Sequence, residues 1–142
     1  MINIRKFVKN AIIEDNGRGD LFFDIAPKGK FKAKAIAKSD GILAGVKYAN
    51  VLARTEKFDC KFLKFDGDEI KKGDVLAKLE GKASILLSSE RTFLNLLQHA
   101  SGIATMANAY AKKIEGTGVA LLDTRKTRPQ LRGFEKYASR VG

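Results

Sequence analysis

The 142 residues fit one domain or two small ones, and a hydrophobic share of 44% excludes wholesale disorder. The net charge of +11, from 27 Lys and Arg against 16 Asp and Glu, admits nucleic acid, a membrane surface or anionic metabolites as partners without choosing among them. No apolar run approaches the ~18 residues that span a bilayer, and the lone Cys60 excludes an intrachain disulfide and suits a reducing compartment.

Arg5, Lys6 and Lys9 stand where a secretion signal needs its apolar segment, so the chain reads as cytoplasmic. Asn3 can cap a helix with Ile4, Phe7, Val8, Ala11 and Ile12 on one face. The helix runs into a turn carrying Gly17 and Gly19. Glu14, Asp15 and Asp20 invite a metal reading there, but acidic residues in a glycine-rich turn mostly cap and solvate. Residues 30–37 alternate, with Phe31, Ala33, Ala35 and Ala37 on one face and Lys30, Lys32 and Lys34 on the other. That is a half-exposed strand. Its lysines serve solubility and blunt edge pairing, and no aromatic residues interleave with them to stack bases.

Gly41 and Gly45 bracket a short apolar stretch, and residues 46–54 predict a helix with Val46, Ala49, Leu52 and Ala53 inward. Phe58, Cys60 and Phe62 predict a strand closed by the turn Asp66-Gly67. Cys60 lies in an apolar stretch and is expected to be buried. Two Gly-Asp pairs, at Gly67 and Gly73, then describe short strands joined by tight turns, with Val75, Leu76 and Leu79 inward. This turn pattern is similar to hammerhead and barrel-sandwich folds, including carrier domains with a modifiable lysine at a hairpin tip. Lys71 and Lys72 lack the methionine neighbour such a lysine has.

Ser88 or Ser89 is expected to cap the next helix, packed by Phe93, Leu94 and Leu97. Arg91 and Asn95 share a face of it, so Arg91 is either a structural partner of Asn95 or a ligand clamp. His99 is the only histidine and has no cysteine near it in sequence, which favours a structural role. Gly102 interrupts the pattern. Ile103, Met106, Ala107, Tyr110 and Ile114 predict a second helix, stopped by Gly116 and Gly118. The apolar run 119–122 reads as a buried strand delivering the polar cluster 123–128. Behind Pro129, residues Leu131, Phe134, Glu135 and Ala138 fall at helical spacing. A strand that hands over to a helix is the usual place for a ligand site in parallel β/α structure. Arg125, Lys126 and Arg128 with the hydroxyls of Thr124 and Thr127 suit a substrate with several negative charges. The alternative is a basic, solvated loop.

Several segments together carry a resemblance. They are Glu90-Arg91-Thr92-Phe93-Leu94-Asn95, Ser101-Gly102-Ile103-Ala104-Thr105, Asp123-Thr124-Arg125-Lys126-Thr127 with Pro129, Leu131-Arg132, and Glu135-Lys136-Tyr137-Ala138. With the turn at Glu14 to Asp20 and the Gly67 to Gly81 hairpin, the chain resembles the quinolinate phosphoribosyltransferases, the carboxylating nicotinate-nucleotide pyrophosphorylases of NAD biosynthesis. The resemblance implies an N-terminal α/β-hammerhead domain over residues 1–102 and the beginning of a β/α, TIM-like barrel over residues 103–142, with residues 119–123 as the first barrel strand. It implies phosphoribosyl transfer from 5-phosphoribosyl 1-pyrophosphate to quinolinate with decarboxylation. Arg91, Thr124, Arg125 and Lys126 would bind substrate, Lys126 would also be catalytic, and Arg91 would act across a homodimer, with higher assembly left open.

Magnesium would accompany the phosphoribosyl pyrophosphate, with its protein ligands beyond Gly142, and no residue of this chain is assigned to a metal. Neither nucleic acid nor a membrane is expected as a partner. The family continues past this point into a glycine-rich turn and a His-Arg pair. If the 142 residues were the whole polypeptide, the expectation is an inactive protein with a sticky strand edge. A non-catalytic basic binding module, a paralogue associated with molybdenum transport and a carrier domain remain the alternatives.

Overall fold

The computed structural model describes residues 3–142; residues 1–2, counted in the first domain above, lie outside the described residues. Its elements are α1 (Ile4–Asn16), β1 (Lys30–Ile36), β2 (Gly41–Ile42), α2 (Val46–Glu56), β3 (Asp59–Phe62), β4 (Glu69–Ile70), β5 (Val75–Lys82), α3 (Ala83–Ile114) and α4 (Arg132–Val141). The Asn3 side chain accepts from the backbone N–H groups of Arg5 and Lys6 at 3.0 and 3.3 Å, the expected cap of α1. β5 is the central strand of an antiparallel sheet in the order β1-β5-β3, and β2 pairs with β4 in a separate ribbon. The two-residue step of the strands puts Ala35 and Ala77, paired across β1 and β5, on the inner face. Lys34, Lys78 and Lys61 fall in one row across the outer face of all three strands.

The core is built of small residues on the helices and large ones between them. Ala49, Ala100, Ala104 and Ala138 are fully buried, which lets α2, α3 and α4 approach closely around Leu43 and Leu52. Phe7, Tyr48, Phe134 and Tyr137 form one aromatic cluster with ring centroids 4.7–6.5 Å apart, joining α1, α2 and α4. Gly45, ahead of α2, has φ +101°, and a Cβ there would lie 2.7 Å from the Leu96 carbonyl oxygen. Both its conformation and its contact with α3 exclude a side chain.

Four expectations need correction. α3 begins at Ala83, straight after β5, so neither Ser88 nor Ser89 caps it. Ala83, Phe93 and Leu97 extend the buried face back to the strand, which draws the first turn into the helix. Ser88 donates to the Ile85 carbonyl, and the Ser89 hydroxyl is buried with no partner among the described residues. Nor does Gly102 break the helix: α3 runs through it for 32 residues. The Ser101 hydroxyl bonds both the N–H and the C=O of Ala44, and the Thr105 hydroxyl accepts from Ile42 N–H at 2.9 Å. Those contacts, with buried Ala100 and Ala104, outweigh the ~1 kcal/mol a helical glycine costs.

The third correction concerns residues 119–122, which form no strand: Val119 and Leu122 are 63% and 84% exposed. A strand is held by hydrogen bonds to a neighbour, and no described residue pairs with this segment. The last is Cys60, which is half-buried rather than buried.

Candidate functional site

The cluster 123–128 lies on an exposed loop between α3 and α4, fastened at several points by the first turns of α4. Lys136 Nζ lies 2.5 Å from Asp123 Oδ1. Arg132 Nε donates to Thr127 Oγ1 at 3.2 Å, and Arg128 donates to the Glu135 carboxylate twice, from Nε at 2.7 Å and from its backbone N–H at 3.2 Å. Thr124 Oγ1 accepts from Lys126 N–H at 3.0 Å, tightening the loop's tip.

His99 completes this cluster from α3. It stacks on Phe134 at 5.7 Å, and its Nε2 lies 2.8 Å from an Arg128 terminal nitrogen and 3.5 Å from Glu135 Oε1. A guanidinium can only donate, so the ring nitrogen accepts. The structural role expected for His99 matches this packing. Burial would push the Glu135 carboxyl up, but hydrogen bonds and charge from Arg128 hold it below the usual carboxylate range. Arg125 and Lys126 are left over. Both are exposed, and neither side chain has an ion pair or hydrogen bond among the described residues.

Arg91 lies elsewhere. Eight residues separate it from His99 along α3, about 12 Å of helix axis. It lines an open cavity of about 540 Å³ with Asp15, Asn16, Asp20, Asn95 and Gln98, and none of residues 123–128 reaches that cavity. Asn95 accepts from Gln98 at 2.8 Å, and among the described residues no hydrogen bond joins it to Arg91. Within one chain, therefore, the structure brings Thr124, Arg125 and Lys126 together and keeps Arg91 apart from them.

Most of the carboxylates near these sites are already engaged, Glu90 on the rim of the Arg91 cavity being an exception. Asp15 accepts from the Thr92 hydroxyl, Asp20 caps Phe22 N–H, and Asp123 and Glu135 are neutralised by Lys136 and Arg128. Among the described residues no three His, Cys, Asp or Glu side chains group as metal ligands.

Other singled-out residues have local roles. Lys71, at the hairpin tip, is held by Glu69 and Asp40 at 3.2 and 3.3 Å, and those contacts, Glu69 first, raise its pKa. Burial pushes the Cys60 thiol up to about 11, away from nucleophilic chemistry.

Sequence reasoning missed the partners that tie α4 to the rest of the chain. The Tyr137 hydroxyl donates to Asp66 Oδ2 and accepts from Gly45 N–H at 3.2 Å, while Asp66 Oδ1 accepts from Val46 N–H at 2.9 Å. Burial, and then Asp66, raise the Tyr137 pKa. In the sequence Asp66 reads only as a turn residue. Nothing local signals a partner 71 residues away.

Residues 20–101 match the family profile of the quinolinate phosphoribosyl transferase N-terminal domain, and residues 103–142 that of its C-terminal domain. The chain is 41% identical over 145 residues to the probable nicotinate-nucleotide pyrophosphorylase [carboxylating] of Bacillus subtilis strain 168, covering 99% of this chain and 50% of that one. The nicotinate-nucleotide pyrophosphorylase structure from Francisella tularensis superposes with a TM-score of 0.92 at 32% identity, over 98% of this chain and 51% of that one. The corresponding protein from Ehrlichia chaffeensis gives 0.94 at 32% identity, over 99% and 53%. The chain thus spans about half the length of the curated relatives it matches.

Proposed function

The chain belongs to the quinolinate phosphoribosyl transferase family, with the α/β N-terminal part and the start of the β/α barrel, and we propose on that footing that it is part of an enzyme making nicotinate mononucleotide. Residues 1–102 would form the N-terminal domain and residues 103–142 the first part of the catalytic barrel. The ring nitrogen of quinolinate attacks the anomeric carbon of 5-phosphoribosyl 1-pyrophosphate. The carbon–oxygen bond to pyrophosphate breaks, and the bonding pair leaves with pyrophosphate. The carboxylate beside the now positive nitrogen departs as carbon dioxide; its bonding pair stays on the ring and is protonated.

The observation that carries this reading is the pair Arg125 and Lys126, two exposed cations without partners among the described residues, on a loop whose other charges are neutralised. Both substrates are polyanions. A guanidinium meets a carboxylate or phosphate through paired hydrogen bonds, and an ammonium offers a compact charge. Arg125 and Thr124 hold substrate oxygens, and Lys126 acts at the reacting ring or the departing pyrophosphate. Preorganised cations of this kind are worth roughly 3 kcal/mol of barrier each. Magnesium belongs to the proposal as a companion of the pyrophosphate group, without a ligand from this chain.

Arg91 acts from the other subunit of a homodimer. In support, its cavity is separate from residues 123–128 of its own chain. Leu21, on that cavity's rim, and the neighbouring Phe22, Phe23 and Ile25 are 52–95% exposed, an apolar patch suited to burial against a second copy. The proposed location is cytoplasmic; among the described residues no helix is long and apolar enough to cross a membrane.

Quinolinate-dependent release of pyrophosphate by the full-length polypeptide is the test. Activity lost on Arg125→Ala or Lys126→Ala, with folding unchanged, supports the reading; wild-type rates in both variants refute it. A second reading, a basic binding module, is favoured by the row Lys34, Lys78 and Lys61, none of which has an ion-pair partner among the described residues. Polyanion affinity that falls steeply with salt and is lost on Lys78→Glu would favour it.

A further inference from the structure

The segment 123–136 carries seven charged side chains, and their division into two classes is informative. Asp123, Arg128, Arg132, Glu135 and Lys136 are all used inside the segment, in the pairs Asp123–Lys136, Thr127–Arg132 and Arg128–Glu135. Arg125 and Lys126 are not. The three α4 residues are spaced i, i+3 and i+4, so they present one face of that helix to the loop. The pairs are only partly shielded from water, with side-chain exposure of 30% at Asp123, 27% at Lys136, 13% at Glu135 and 61% at Arg128. Residues 119–126 belong to no helix or sheet, so no backbone ladder among the described residues sets their path. α4 itself is anchored by buried Phe134 and Ala138 and by the Tyr137–Asp66 bond. Among the described residues, these side-chain pairs, together with the His99–Arg128 contact from α3, are what fasten the loop to the core.

We propose that Lys136 and Glu135 are positioning residues: through Asp123 at one end of the loop and Arg128 at the other, they hold Arg125 and Lys126 in place for an anionic substrate. The identity of that anion rests on the phosphoribosyl-transfer reading; the clamp does not. Lys136 is a cation in the same cluster, yet its charge is spent on Asp123, so it orients the loop without touching substrate. Asp123 is likewise spent, and serves as an anchor rather than a general base. The clamp has one pair at each end because a single fixed end would leave the loop free to pivot about it.

The test compares Lys136→Met, Lys136→Arg and the charge-exchanged pair Asp123→Lys with Lys136→Asp in the full-length polypeptide. One measurement is the rate of trypsin cleavage after Arg125 and Lys126, read by mass spectrometry; the other is quinolinate-dependent pyrophosphate release. Lys136→Met should raise cleavage at these two bonds about tenfold over other sites, because local opening no longer breaks an ion pair. It should lower kcat/KM by about 10- to 100-fold, the scale expected of catalytic groups displaced by an ångström. Lys136→Arg and the exchanged pair should recover much of both. A merely structural lysine would raise cleavage everywhere and would not be rescued by exchanging the charges. Unchanged cleavage at Arg125 and Lys126 in Lys136→Met, or no recovery in the exchanged pair despite a wild-type thermal midpoint, overturns the clamp. If Lys136→Met does not fold, Glu135→Gln carries the same cleavage comparison at the other end. A wild-type protein that releases no pyrophosphate defeats the functional reading alone, because the cleavage comparison needs no substrate.

Discussion

Replacing Tyr137 by Phe isolates the link between α4 and the rest of the chain. The phenolic oxygen both donates to Asp66 Oδ2 and accepts from Gly45 N–H at 3.2 Å, and both contacts are part-buried. Phe keeps the ring and its packing on Tyr48 at 5.1 Å, so the loss is confined to the two hydrogen bonds. A bond to a charged acceptor contributes about 1.5–3 kcal/mol and a neutral one about 0.5–1.5 kcal/mol. Asp66 retains Val46 N–H at 2.9 Å, which offsets part of the loss, so a destabilisation of about 2 kcal/mol is expected.

Urea denaturation measures this directly, with an unchanged slope showing that the unfolded state has not altered. The dependence on pH gives an independent check. The folded-state pKa of Tyr137 lies above the ordinary 10.0, so its contribution is complete below that pH and is lost as pH rises through the raised folded value. The wild-type protein should therefore lose stability above about pH 10 more steeply than Tyr137→Phe. A change below about 0.5 kcal/mol, within the ordinary range for surface substitutions, together with superposable alkaline profiles, would refute the reasoning.

Two glycines should respond oppositely to alanine. Gly102→Ala, at a helical position with open space around it, should stabilise by about 0.5–1 kcal/mol, whereas Gly45→Ala should destabilise by more than about 2 kcal/mol through its positive φ and its contact with Leu96; thermal midpoints decide both. Glu135 is held below its ordinary 4.5, so its stabilising contribution is complete above that pH and is lost as pH falls through the lower folded value. Acid titration of Glu135→Gln should lack that loss, and a profile identical to wild type would contradict the Arg128 pairing. Arg125→Ala and Lys126→Ala should leave the thermal midpoint within about 2 °C of wild type, as befits exposed side chains without partners. Each should slow pyrophosphate release by about 100-fold or more, measured in steady-state assays.

Much of this architecture was legible in the sequence because it depends on near neighbours. Asn3 capping α1, the alternation of β1, the glycine turns around β4 and β5, and the buried Phe134 and Ala138 of α4 all follow from spacings of two to four residues. The motif residues 123–128 were also visible as a polar cluster at the foot of a helix. What could not be read is whatever depends on a distant partner. The residues 119–122 have the composition of a strand, but a strand exists only through hydrogen bonds to another, and here they lie exposed. Gly102 reads as a break, yet Ser101 and Thr105 fasten the helix on either side of it to residues 42–44.

The sequence by itself determined the periodic elements, the family resemblance and the identity of the cations, all properties of residue type and short spacing. Only the tertiary structure decided which of those cations are spent and which are free. Lys136 and Lys126 are both lysines of one basic cluster, but folding brings an aspartate to the first and, among the described residues, nothing to the second. Charge is a local property; neutralisation is a matter of distance, and distance is settled by the packing of the whole chain.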